Sequence, residues 1–197
     1  MSPRLDTIRA RLRDPSWMAG GSGAQRQAWA VLSRHRLLER LAPWPARLAG
    51  TFPLDLGVEG SDLDLLVEVT DLDAAAATLD QVFGADSNYA RVHGTFTDGP
   101  AEVASFTLDG LTVEIFAQAW PVERQMGWLH LLAEARLLHA RPDAAEPLRA
   151  LKRSGLKTEP AFACLFGLCG DPYAALAALA EAPDDLLDSI AAEPFQP

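Results

Sequence analysis

The spacing of apolar residues changes period twice along this chain. Residues 4–13 alternate basic and apolar side chains and predict a short helix, with a break at Gly20-Gly21-Ser22-Gly23. From Gln25 to Leu41, apolar positions recur near helical spacing at Ala28, Val31, Leu32, Leu38 and Leu41, with His35 on the same face. Those residues predict one amphipathic helix, stopped by Pro43-Trp44-Pro45. Ala46 to Thr51 is a short strand candidate, and Pro53, Gly57 and Gly60 mark residues 52–61 as a loop. At Asp62 the period drops to two. Leu63, Leu65, Val67 and Val69 face one way, and Asp62, Asp64, Leu66 and Glu68 the other. Asp71 to Phe83 is helical again, with Asp71 as N-cap, and residues 88–96 read as a strand. Val103–Leu108 and Leu111–Ala117 flank Asp109-Gly110, a two-residue hairpin signal.

After Pro121 the period is helical almost to the end. Val122–His139 is the clearest segment, followed by 143–153, 158–169, 172–181 and 184–192. Pro142, Gly155, Gly170-Asp171-Pro172 and Pro183 punctuate them. The pattern predicts an α/β part over residues 1–120, followed by a helical part over 121–197 packed on it.

Composition narrows the function classes. The chain has 197 residues, with 17 Lys and Arg against 27 Asp and Glu, for a formal charge of −10. A broad nucleic-acid track needs a basic footprint, so no extended nucleic acid is expected as partner. From Asp143 onward the only basic residues are Arg149, Lys152, Arg153 and Lys157, enough to cradle one triphosphate. No apolar run approaches the roughly 20 residues that cross a bilayer, so no membrane partner is expected. Met1-Ser2-Pro3-Arg4-Leu5-Asp6 carries no signal-peptide core, so a cytoplasmic protein is the expectation. Cys164 and Cys169 are five apart and off a shared helix face, and are expected to be buried, inert thiols.

The chemistry concentrates between residues 50 and 114. Gly50-Thr51 is a small-residue turn, ten residues follow, and Asp62-Leu63-Asp64 opens the next strand. Alternation sets Asp62 and Asp64 side by side, roughly 7 Å apart along the chain. Glu114, between Val113 and Ile115, adds a third carboxylate if its strand lies beside that one. Three close carboxylates repel one another unless a cation neutralises them, and Mg²⁺ is the usual partner where phosphates are involved. Two such ions, about 3.5–4 Å apart, clamp the attacking and leaving oxygens of a phosphoryl displacement. Gly50, Thr51 and Ser61 offer N–H and hydroxyl donors to phosphate oxygens.

These residues resemble the nucleotidyltransferase superfamily that includes polymerase β and the kanamycin and lincosamide nucleotidyltransferases. Its pattern is a small turn, a gap near ten residues, Asp-x-Asp/Glu and a later strand carboxylate. Gly50-Thr51, Asp62-Leu63-Asp64 and Glu114 match it, with Thr51 where Ser or Gly is usual. A closer likeness runs through Ser61-Asp62-Leu63-Asp64, Val113-Glu114-Ile115-Phe116, Pro121-Val122-Glu123-Arg124-Gln125, His130, Glu134 and Gly155-Leu156-Lys157-Thr158-Glu159-Pro160. It is to a bacterial family of unknown function grouped with the nucleotidyltransferases. The resemblance implies an α/β fold with a mixed sheet, flanking helices and a helical C-terminal part. The superfamily resemblance also implies a Mg²⁺-dependent enzyme, with two ions, that moves a nucleoside monophosphate from a nucleoside triphosphate to an acceptor hydroxyl; the charge of −10 points to a small-molecule or protein acceptor. Asp62, Asp64 and Glu114 are then the catalytic and metal residues. The alternative is a non-catalytic nucleotide-binding or antitoxin-like interaction module.

Other polar residues are candidates for support. His130 and Glu134 are i, i+4 on one helix and share a face, a Glu-oriented His for the acceptor. Lys157 precedes a helix start, with Thr158 as the expected N-cap, and is assigned to the nucleotide phosphates. The five tryptophans are expected to pack in the core or at interfaces; were one to stack on a base, Trp120 is the best candidate, because it closely follows the Glu114 strand. Arg91 and His93 lie on the 88–96 strand with no face assigned.

Overall fold

The two-residue period at Asp62 becomes strand β2 (Leu63–Glu68), and the hairpin segments become β4 (Gly99–Leu108) and β5 (Leu111–Gln118). Asp109 and Gly110, at φ 49° and 82°, form the turn between them, the left-handed pair that a two-residue hairpin requires. A computed structural model describes residues 3–195; Met1 and Ser2, part of the N-terminal segment read above, lie outside the described residues. With β1 (Ala46–Leu48) and β3 (Ser87–Phe96), the strands form one sheet in the order β1-β2-β5-β4-β3. β2 and β5 run parallel, and the other neighbours are antiparallel. The expected mixed α/β sheet is present.

Each face of the sheet has its own core. Leu63, Leu65 and Val67 of β2 and Val113 and Ile115 of β5 face α2 (Gly23–Arg34) and α4 (Leu72–Phe83), where Phe83 stacks on Phe106 at 4.9 Å. Leu66 points the other way. It joins a second core built with α1 (Pro3–Arg13), α5 (Met126–Ala140), α6 (Ala145–Arg153), α7 (Thr158–Phe166), α8 (Pro172–Leu179) and α9 (Asp184–Ala192). A Cβ on Gly127 would stand 3.1 Å from a Leu66 methyl, so this glycine lets the start of α5 settle onto the sheet. Gln125 pins the same corner, its side chain donating to Val67 O and Trp120 O at 3.0 Å each. Arg136 of α5 is fully buried and donates to the carbonyls of Leu179, Ala180 and Ala182, which fixes the end of α8.

Several boundaries differ from the sequence expectation. The Gln25–Leu41 helix is two helices, α2 and α3 (Leu37–Arg40), because Arg36 takes a left-handed conformation at φ 50°. The Val122–His139 segment begins as a short 3₁₀ turn, and extended Gln125 separates it from α5. The 158–169 helix ends at Phe166, where left-handed Gly167 caps it. The first strand stops at Leu48, before the Gly50 turn. Asp71 does cap α4, accepting from Ala74 N–H at 3.0 Å. Both cysteines are exposed, contrary to expectation: Cys164 lies on the solvent face of α7 and Cys169 beyond its end. Among the described residues no helix is long and apolar enough to cross a membrane.

Candidate functional site

The sheet wall of the site follows from register. Asp64 is the direct partner of Glu114 across the parallel β2–β5 ladder, and Asp62 immediately precedes β2. The turn after β1 brings Gly50 beneath Asp64, and a Cβ at Gly50 would lie 1.7 Å from Asp64 Oδ2. Gly50 also sits at φ +67°, a conformation that favours glycine. Thr51 is nearly buried, and its Oγ1 has no hydrogen-bond partner. Ser61 accepts from Val58 N–H at 2.9 Å, which closes the loop ahead of Asp62 and leaves the hydroxyl proton to donate elsewhere.

Opposite stands a wall of helices. His130, Glu134, Lys152, Lys157, Glu159 and Tyr173 face the sheet carboxylates across a cavity of about 850 Å³. Gly50, Thr51, Ser61, Asp62, Asp64, Glu114, His130, Glu134 and Lys157, all the expected site residues, line this one cavity.

Several expected pairings are different in detail. His130 is oriented by Glu159 and not by Glu134: its Nδ1 lies 3.3 Å from Glu159 Oε1, and its Nε2 3.0 Å from Tyr173 O. Lys157 occupies the N-cap position of α7 itself, and Thr158 is the first helical residue. The Thr158 hydroxyl instead accepts from Lys152 Nζ at 2.7 Å. Trp120 does not line the cavity, and its indole N–H donates to Asp98 O at 2.9 Å. The aromatic wall comes from Phe96 and Phe116, edge to face at 4.8 Å. Arg91 and His93 point away, onto Asp80 and Glu102. Sequence reasoning gave no site role to Glu159 or Phe96, and named Lys152 only within a group of four basic residues able to cradle a triphosphate, of which Lys152 and Lys157 line the cavity. Glu159, two residues after Lys157 in a first helical turn, was the one with a local signal.

The electrostatics of the two walls differ. Burial, then the neighbouring charges of Glu114 and Asp62, push the Asp64 carboxyl up to about 7. Glu114 is raised by burial and by Asp62, with Lys157 acting against the shift. Glu134 is raised well above the usual range by burial and by Glu159, partly offset by Lys152. At Glu159 burial opposes ionisation, but the hydrogen bond from His130, a backbone N–H and the charges of His130 and Lys152 together outweigh it, and the group stays below the usual range. Lys152 is lowered by burial, against the pull of Glu134, Glu159 and Asp64.

Among the described residues, no three His, Cys, Asp or Glu side chains stand close enough to form a ready metal cage. The donor set nevertheless suits a hard divalent cation. Asp64 and Glu114 are carboxylates held side by side at a cost in ionisation, and the bare backbone of Gly50 lets the Asp64 carboxylate sit where a side chain would otherwise stand.

A family described as a domain of unknown function (DUF4269) matches residues 30–179. The chain belongs to that family. All the cavity residues discussed above fall inside the DUF4269 span, while α1 and α9 fall outside it. No curated protein is similar to the chain in sequence. Solved structures share its fold. Cid1, described as an RNA terminal uridylyl transferase, is 16% identical, with 73% of this chain and 47% of Cid1 covered and a TM-score of 0.53. A cytoplasmic RNA terminal U-transferase is 14% identical, with 74% and 49% covered and a TM-score of 0.53. Cid1 poly(U) polymerase with MgGTP bound is 15% identical, with 85% and 51% covered and a TM-score of 0.53. The chain spans about half the length of these proteins. At such identity the likeness is one of fold, and the fold is that of a nucleotidyltransferase.

Proposed function

We propose that this DUF4269 protein is a Mg²⁺-dependent nucleotidyltransferase. The observation that carries the reading is the Asp64–Glu114 pair, in register on parallel strands, with Asp62 alongside and Gly50 beneath. Residues 1–120 form the nucleotidyltransferase-like part, and the helices of 121–197 supply the opposite wall. Asp62, Asp64 and Glu114 would hold the metal, as two ions. When bound, these supply positive charge that neutralises the carboxylates and the phosphate oxygens. The Thr51 hydroxyl, buried and unpartnered, and the Ser61 hydroxyl donate to phosphate oxygens. Lys157 contributes a cation at the N-terminus of α7, where free N–H groups also favour an anion.

In the transfer, the acceptor hydroxyl oxygen bonds to the α-phosphorus. The bond from that phosphorus to the α–β bridging oxygen breaks, and pyrophosphate leaves. Glu114 takes the hydroxyl proton. His130 has both ring nitrogens engaged with Glu159 and Tyr173, so it supports the wall and leaves the proton to Glu114.

The acceptor we propose is a small molecule or a protein side chain. The neighbouring folds include enzymes described as acting on RNA. This cavity, however, has Lys152 and Lys157 as its only Lys or Arg among the described residues, too few for a phosphate track. A thermal-shift screen of nucleoside triphosphates, with and without Mg²⁺, tests the reading. A triphosphate at about 100 times its Kd adds about 2.7 kcal/mol of stability, and the gain should require Mg²⁺. No stabilisation by any triphosphate would reject nucleotide binding.

A further inference from the structure

Glu134 presents a conflict that the proposed reading leaves open. It sits one helical turn beyond His130 on α5, is 3% exposed, and lines the cavity. Its Oε1 has no hydrogen-bond partner. His130, the neighbour that could have used it, is already held by Glu159 and Tyr173. Buried polar atoms are nearly always hydrogen-bonded, and an exception asks for a ligand or a mechanism.

The surroundings point to an anion. Lys152 of α6 reaches the first turn of α7, donating to Thr158 Oγ1, and Lys157 stands at the N-cap position of the same helix. An ionised carboxylate there would repel a triphosphate. A carboxylic acid would not, because its O–H is a donor.

We infer that Glu134 is a phosphate-binding residue that works in its protonated form, donating its O–H to an oxygen of the triphosphate beside Lys152. The inference rests on the nucleotide reading above and adds a residue and a proton to it. The charged groups that act on Glu134 come from the helices packed around it. Glu159 of α7 favours the proton staying, Lys152 of α6 opposes it, and His130 is committed to Glu159. Burial, and then the charge of Glu159, raise the carboxyl well above its ordinary range, which favours the protonated form that a buried, unpartnered oxygen beside an anion calls for. An arriving triphosphate adds negative charge and holds the proton more firmly. Binding is therefore coupled to the proton, and affinity falls as pH rises past the point where free Glu134 ionises.

The test uses inorganic triphosphate with Mg²⁺, titrated calorimetrically into the full chain across pH 6 to 10. Glu134→Gln keeps the shape and a donor but cannot ionise, and its curve subtracts the titration of the probe itself. The expected result is that Glu134→Gln binds as tightly as the native protein at pH 6 and more tightly at high pH. The gap should widen by up to about tenfold per pH unit, the limit for one coupled proton. Glu134→Leu, which lacks the donor, should bind about tenfold more weakly at pH 6, and thermal melts confirm that each variant is folded. Parallel pH curves for native protein and Glu134→Gln, or a Glu134→Gln loss as large as that of Glu134→Leu, would overturn the inference while leaving triphosphate binding intact. Absence of triphosphate binding at every pH would instead remove the nucleotide reading and this inference with it.

Discussion

The two walls of the cavity handle buried charge in opposite ways. On the helical wall charged groups meet partners: Glu159 holds His130, and Lys152 donates to Thr158. On the sheet wall burial and neighbouring carboxylates raise the proton affinity of Asp64 and Glu114, and the charges of Lys152 and Lys157 only temper the rise. The helical wall is close to internally compensated, with Glu134 the exception. In the proposed reading a cation from outside completes the sheet wall. The asymmetry is what supports metal binding over a merely polar cleft, because uncompensated buried carboxylates lower stability.

The asymmetry can be broken most directly at Asp64. Asp64→Asn should lower metal-dependent turnover by roughly 10²–10³-fold or more. In the metal-free protein the sign reverses. The folded-state pKa of Asp64, about 7, lies above its ordinary value of 3.8. The native state therefore binds the extra proton between those values, and stability falls as pH rises from about 4 to about 7. Asp64→Asn should flatten this fall and gain roughly 1–3 kcal/mol at pH 8. Urea melts at pH 5 and pH 8 check it, and a variant less stable than the native protein at pH 8 would deny the repulsion.

Glu114→Gln sharpens the division of labour within the sheet wall. Turnover should fall by about 10²-fold, as for loss of a general base, with nucleotide affinity within about twofold of native. An equal fall in affinity would move Glu114 from the proton to the nucleotide.

Lys157→Ala probes the helical wall. Loss of one charged contact of about 1.4 kcal/mol weakens triphosphate binding about tenfold and leaves nucleoside binding unchanged. Equal weakening of both ligands, measured by calorimetry, would make Lys157 structural. The smallest expected signal is with RNA. Filter binding of tRNA at physiological salt should give no submicromolar complex, because the cavity lacks a basic track.

The two walls were also unequally legible in the sequence. Alternation over Asp62–Glu68 and the Asp109-Gly110 turn are local signals that put Asp64 and Glu114 on strands, while the pairing of those two strands, a long-range contact, was left as a condition that the β2–β5 register meets. The helical wall brings His130, Lys152, Glu159 and Tyr173 together from four helices. A helical period tells which face of each helix is apolar, but not how far one helix slides against the next. Thus i, i+4 spacing suggested Glu134 for His130, while packing delivered Glu159. Phe96 was hidden for a related reason: it is the end of a strand, and a Cβ on Gly94 would approach its ring to 2.8 Å, so only that glycine admits the ring's position beside Phe116. The exposed cysteines of the α7 region were misjudged from residue type alone, where the solvent side of the helix decided.

The central claim is that the sheet carboxylates take up a divalent cation together with a nucleotide. Calorimetric titration of a nucleoside triphosphate into the native protein, with Mg²⁺ and with the metal chelated away, tests it most directly when Asp64→Asn is run alongside. The account predicts tight binding that needs Mg²⁺ in the native protein, and loss of the Mg²⁺ effect in the folded Asp64→Asn variant. Native binding that is the same with and without Mg²⁺, or a full Mg²⁺ effect retained in Asp64→Asn, would contradict it.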